Sequence, residues 1–120
     1  MSKAKIEGLL KKIEAATTLE ADLLAAAADV VRAVFPDAPH HPEVLAEPVE
    51  AVLHLIDRCL PQWSIQLTGK AQEPDGHWRC SLRKSRGSDE DEVLGVGTGP
   101  TVALALLQAL LRVSLQKASS

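Results

Sequence analysis

The chain has no tyrosine, one phenylalanine (Phe35) and two tryptophans (Trp63 and Trp78) among its 120 residues. Apolar residues still make up 46%, so one domain's core is expected, filled by leucine and alanine rather than by rings. Positive charge is not in excess: 13 Lys and Arg against 16 Asp and Glu leave a net −3. That argues against a general nucleic-acid binder, which shows a basic surplus or a basic face. Cysteine is nearly missing. Cys59 and Cys80 make no disulfide framework, and reduced thiols in a cytoplasm are the expectation. The first twelve residues are charged and amphipathic, without the apolar stretch of a signal peptide. The most apolar run, residues 102–115, is too short and too alanine-rich for a membrane span.

Signatures of chemistry are missing as well. Gly95-Val96-Gly97-Thr98-Gly99-Pro100 precedes a helical pattern but lacks the Gly-Lys-Ser/Thr of a phosphate loop. Pro100 stands where a dinucleotide fingerprint needs its last glycine, and it removes an N–H that an anion would use. A strand-to-helix turn capped by Thr98 or Gly99 is the expected use of these residues. His40-His41 has no third metal ligand at a usable spacing, and His77 and Cys80, three apart on a strand, face opposite sides. His54 and Cys59 diverge on a helix. No serine or cysteine sits in a nucleophile context. The expectation is a protein that is not an enzyme and holds no cofactor or metal.

What is present is an ordered series of patterns. Ile6, Leu9, Leu10 and Ile13 give a helix over residues 3–16, with Lys3, Lys5, Lys11 and Lys12 off the stripe. It has no aromatic anchors, so it reads as core-facing rather than membrane-surface. Thr17 and Glu20 have capping-box spacing ahead of a second helix over residues 19–34, with Leu23, Leu24, Ala27, Val30, Val31 and Val34 on one side. Residues 36–48 read as a proline-rich loop. Pro48 opens a third helix to about Leu60, with Val49, Val52, Leu53, Ile56, Cys59 and Leu60 as its stripe.

The period then becomes two. Trp63, Ile65 and Leu67 alternate with Ser64, Gln66 and Thr68, the pattern of a half-buried strand. Glu73-Pro74-Asp75-Gly76 is a turn, and residues 77–84 return with Trp78, Cys80 and Leu82 on one face. A hairpin would turn these two Trp, Ile, Leu, Cys and Leu positions to the core and leave Gln66, Thr68, Lys70, His77, Arg79, Ser81 and Arg83 opposite. Residues 85–92 are an exposed loop ending in an acidic run, and residues 93–97 a short third strand. The final helix starts near Val102, and the tail after Gln116 should fray. This helix is apolar nearly all round, with Gln108 the only polar side chain between Val102 and Leu111. A surface helix shows a polar back, so protein must wrap this one, from its own chain or from a second copy.

The fold class is therefore α+β: N-terminal helices, then helix, β-hairpin, short third strand and C-terminal helix, with a three-stranded antiparallel sheet packed against helices. One domain spans 1–120, made of a helical N-terminal arm (1–35) and an α-β-β-β-α core (48–116). If the polar sheet face is open, Lys70, His77, Arg79 and Arg83 supply donors for an anion or an acidic partner.

Three stretches carry a resemblance: Leu9-Leu10-Lys11-Lys12-Ile13-Glu14-Ala15-Ala16-Thr17, the helix-to-strand run 51–67 with its Leu60-Pro61-Gln62-Trp63 corner, and Gly97-Thr98-Gly99-Pro100-Thr101-Val102-Ala103-Leu104-Ala105-Leu106-Leu107. In this order they resemble the small phage and prophage proteins known as phage ABA-sandwich domains. The resemblance implies a layered α/β fold with helices on both sheet faces and no catalytic residues. It also implies an accessory role by binding, either to a host or phage protein or to a small anionic ligand sequestered as counter-defence. Two other readings stand beside it. The core order resembles the double-stranded-RNA-binding architecture, but residues 98–103 lack the cations that fold places at the start of its last helix. A structural module is the other: the final helix and the alanine-rich second helix could bury each other across a two-fold axis, giving a dimer.

Overall fold

The computed structural model describes residues 2–35, 48–60, 63–69, 78–84 and 92–119. Four helices and three strands follow one another as α1 (Ser2–Ala15), α2 (Ala21–Val34), α3 (Pro48–Cys59), β1 (Ser64–Gly69), β2 (Trp78–Lys84), β3 (Glu92–Gly99) and α4 (Val102–Ser119). The sheet is antiparallel in the order β1-β2-β3. This is the α+β arrangement that the periodicities predict. The loops expected at 36–47 and 85–91 and the turn at 73–76 lie outside the described residues.

Helix α4 is the centre of the molecule. It lies on β3 and β2 with one side and receives α1, α2 and α3 on the others. Every side chain from Ala103 to Leu111 is buried, so the all-round apolarity of this helix is explained within one chain. The two polar groups it buries are both bonded. Ser114 Oγ donates back to Leu110 O at 2.9 Å, and Gln108 reaches the sheet as described below. Helix α4 packs against α2 within the chain, so the apolarity of both needs no second copy to explain it. Helices α1 and α2 share the core with α4 through Ile6, Leu9, Leu10, Ile13, Ala27, Ala28 and Val31.

Close approach of α4 to β3 explains the glycines. Gly95, Gly97 and Gly99 lie two apart and face the helix. A Cβ on Gly97 would stand 2.2 Å from the carbonyl oxygen of Ala105, and one on Gly95 would stand 2.6 Å from that of Ala109. The helix answers with Ala105 and Ala109, one turn apart. Small residues on both sides let backbone pack on backbone. The Gly-Val-Gly-Thr-Gly run is thus strand rather than turn, and neither Thr98 nor Gly99 caps the helix. The cap is Thr101: its Oγ1 accepts the Leu104 N–H at 3.2 Å while its carbonyl accepts the Ala105 N–H at 3.1 Å.

Other local expectations change for identifiable reasons. The Thr17–Glu20 box is not formed. Glu20 is itself the N-cap, extended at φ −90° and ψ 159°, and its side chain makes no capping bond. The link before it is held by Leu19, which is buried in the core. In α3 the buried stripe is Ala51, Val52, Leu55, Ile56, Cys59 and Leu60, whereas Leu53 lies on the exposed rim. The acidic run gives its last residue, Glu92, to β3. Helix α4 runs to Ser119, and Lys117 Nζ sits 4.7 Å from the centre of the Phe35 ring.

The hairpin register places Ile65 opposite Leu82 and Leu67 opposite Cys80. All four therefore share the inner face, as expected, but that face is only half covered. Cys80 and Leu82 are 0% exposed, while Ile65 and Leu67 are 37% and 39% exposed. The reason is width: α4 covers β3 and β2, and β1 overhangs it. Trp63 and Trp78 are half-buried at the margin, and the Trp78 ring lies over Gly69.

Burial leaves Cys80 with a raised pKa. Removal from water disfavours the thiolate and pushes the thiol from 9.0 up to about 11. The folded state then keeps a proton that the unfolded chain releases above pH 9. Stability should fall as pH rises from 9 toward 11, by about 1.4 kcal/mol per pH unit at most. Chemical denaturation at stepped pH will show the slope, and Cys80→Ala should flatten it.

Candidate binding face

The opposite face of the sheet is built by the outward residues of all three strands. β2 contributes Arg79, Ser81 and Arg83, flanked by Thr68, Gln66 and Ser64 on β1. β3 adds Thr98 beside Arg79 and Val96 beside Ser81. Among the described residues this face is open. Arg79, Gln66, Thr68 and Thr98 are exposed, and Ser81, Arg83 and Val96 are half-exposed. Helices α1, α2 and α3 pack on α4 rather than on the sheet. A layer of helices on each sheet face, which the family resemblance implies, is thus not found among the described residues. Among the described residues α4 makes the main contact with the sheet, and α1, α2 and α3 pack chiefly on α4.

Of the four donors expected to act together, the structure places two. Arg79 and Arg83 lie on one face of one strand, about 13 Å apart at Cα from the strand repeat, with Ser81 between them. Lys70 and His77 lie outside the described residues. No described carboxylate side chain shares the face, and neither guanidinium has an ion pair or a hydrogen bond among the described residues. Arg83 is the more constrained. The register between β2 and β3 shifts at Leu82/Arg83, a β-bulge, and the Arg83 Nε is shielded from solvent with no hydrogen-bond partner. A shielded donor without an acceptor costs roughly 1–3 kcal/mol, which an added acceptor would recover.

The face therefore presents two cations, hydroxyls from Ser64, Thr68, Ser81 and Thr98, and the Gln66 amide. Its donors come from strand side chains spread along the sheet and not from groups converging on one point. A shallow opening of about 450 Å³ lies elsewhere, where α1 meets α2, lined by Leu9, Lys12, Thr17, Thr18, Glu20 and Leu23 among others. It mixes charges of both signs and has no set of groups converging on one point. Among the described residues no three His, Cys, Asp or Glu side chains come together as a metal site, and no helix is long and apolar enough to cross a membrane.

One feature of this region was not foreseen from sequence: the edge of β3 is closed by α4. The Thr98 N–H donates to Gln108 Oε1 at 2.8 Å, and Arg112 Nη1 donates to Val96 O at 2.7 Å. Arg112 Nη2 also reaches Glu14 Oε1 on α1 at 3.3 Å. The available signal was a lone glutamine in an apolar helix with an arginine one turn later.

Compared with protein-family models, with curated proteins and with solved structures, the chain finds no match in any of the three.

Proposed function

We propose that this protein acts by binding and not by catalysis, and that its open sheet face engages an acidic surface on a protein partner. The observation that carries this reading is a pair of arginines, Arg79 and Arg83, on a face that is open among the described residues, where neither guanidinium has a partner and the Arg83 Nε lacks an acceptor. Carboxylates supply acceptors to guanidinium groups in charge-assisted, often two-pronged hydrogen bonds. Two arginines about 13 Å apart along one strand suit an extended acidic surface better than a single small anion. The setting we propose is that of a phage or prophage accessory protein in the cytoplasm of a bacterial host. Its support is the three-part sequence resemblance and the two buried cysteines, neither of them in a disulfide, which suit a reducing compartment.

The double-stranded-RNA reading gains the element order α3-β1-β2-β3-α4 but not the chemistry. The first turn of α4 is capped by Thr101 and continues with Val102 and Ala103, offering no cation to a phosphate. The open face has no aromatic platform among its described residues for a single strand either.

Native mass spectrometry of protein purified from a bacterial host, followed by capture from host lysate, tests the proposal. A specific acidic partner is expected. Arg79→Ala and Arg83→Ala should each weaken it roughly tenfold or more, with no loss of thermal stability, since the face is not core and the Arg83 Nε has no acceptor among the described residues. Undiminished capture by the double variant would overturn the reading. A small anion retained on the wild-type protein and lost from the double variant would replace the protein partner with sequestration.

A further inference from the structure

The two edges of the sheet are unlike. In a strand, alternate residues turn both backbone polar groups to the same side. On β3 the outward set includes Val96 and Thr98, and Arg112 and Gln108 from α4 take up their carbonyl and amide. At Val96 and Thr98 this edge is already bonded within the chain. On β1 all six residues are exposed, and among the described residues its only side-chain bond, Ser64 Oγ to Arg83 O, stays within the sheet. Proteins guard a free edge with charges, proline or a covering element. The β1 sequence Ser64-Ile65-Gln66-Leu67-Thr68-Gly69 has neither charge nor proline. Its inner face carries Ile65 and Leu67, the two apolar side chains that overhang α4.

We infer that β1 is a self-pairing edge, joining β1 of a second copy antiparallel about a two-fold axis so that two three-stranded sheets become one of six strands. The symmetry restricts the register. An axis perpendicular to the sheet keeps both inner faces on one side, so the two residue numbers in each pair must sum to an even number. A register centred on Gln66 sets Ile65 against the second copy's Leu67, twice, and Ser64 against its Thr68. The overhanging apolar side chains then cover one another as cross-strand pairs. A second copy is favoured over a foreign strand by complementarity. In this register β1 is complementary to itself, apolar side chain against apolar and hydroxyl against hydroxyl, and with no charge on the strand the pairing brings no like charges together. Five paired residues on each strand form a contact well below the roughly 800 Å² per partner of a stable standard interface, so the dimer is weak and depends on concentration. The inference is independent of the anionic-partner reading.

Engineered thiols trap a weak dimer in a definite register. In the proposed pairing Gln66 faces its own copy at about 4.5–5.5 Å between Cα atoms, within disulfide reach. Thr68 lies four strand positions from its own copy, about 13 Å away. Both sites are exposed, and the native Cys59 and Cys80 are buried, so they add little background. Under mild oxidation Gln66→Cys should form a covalent dimer and Thr68→Cys should not. Sedimentation of the unmodified chain should show mass rising toward two copies in the high micromolar range, and Leu67→Lys should return it to one copy with its helical circular dichroism intact. Equal cross-linking by the two cysteine variants, a single-copy mass at every concentration, or a dimer that survives Leu67→Lys would each overturn the inference.

Discussion

Gly97→Ala should cost at least about 3 kcal/mol, the upper end of what an overpacked methyl group does to a close-packed interior. The added carbon would lie 2.2 Å from the Ala105 carbonyl oxygen and 2.5 Å from the Ala109 nitrogen. Both are backbone atoms of α4, so no rotamer change relieves the clash and the helix must lift from the sheet. Lifting it opens the contact that buries Cys80 and Leu82 and breaks the two bonds that close the β3 edge. Gly99→Ala is the control. Its added carbon meets Leu104 Cβ at 3.1 Å and backbone no nearer than 3.4 Å, so a smaller loss is expected. Urea unfolding of the three proteins, compared by midpoint at equal slope, checks the order. Equal stability of Gly97→Ala and wild type would mean that α4 and β3 are not in backbone contact.

Leu107→Ala should destabilise by about 2–5 kcal/mol. Leu107 is 0% exposed, on a helix whose neighbours are the sheet on one side and three helices on the others. The range reflects how far surrounding side chains can close on the gap. Collapse should be limited here, because the backbone seam between α4 and β3 holds the helix in place. The effect belongs near the upper end, a large share of the stability of a domain this size. A matched Leu53→Ala change, at the exposed rim of α3, should cost well under half as much. Thermal unfolding by circular dichroism checks the pair.

Much of the fold was legible because the patterns are local and repetitive. The 3.6-residue stripes of α1 to α3 and the alternation of 63–68 and 78–82 named every element within a few residues. The all-round apolarity of residues 102–111 marked α4 as the element to be wrapped. The face shared by Ile65, Leu67, Cys80 and Leu82 also followed from alternation alone. What failed were readings of short signals whose meaning depends on distant atoms. A Thr-x-x-Glu spacing forms a capping box only if the helix begins at the threonine, and Leu19, buried against other elements, holds that stretch outside the helix. The glycines before Pro100 look like a turn until a helix is laid across them.

The candidate face was legible to the same depth. Alternation puts Arg79 and Arg83 on the polar side of β2, but whether a helix covers that side is a question about packing. Likewise Gln108 stands out as the single polar residue in an apolar run, while its partner, the Thr98 amide, is ten residues away on another element. Alternation predicts which side of β1 is apolar and cannot say that α4 is too narrow to reach it.

By itself the sequence determined the elements, their order, the antiparallel hairpin and the absence of charge on β1. These rest on backbone geometry and side-chain period, which each segment carries alone. The tertiary structure decided that α4 is enclosed by its own chain and, among the described residues, that one sheet face stays open and that α4 bonds to the edge of β3 and not to that of β1. Those outcomes depend on how near one helix can approach one strand, a distance set by small residues on both surfaces meeting at once.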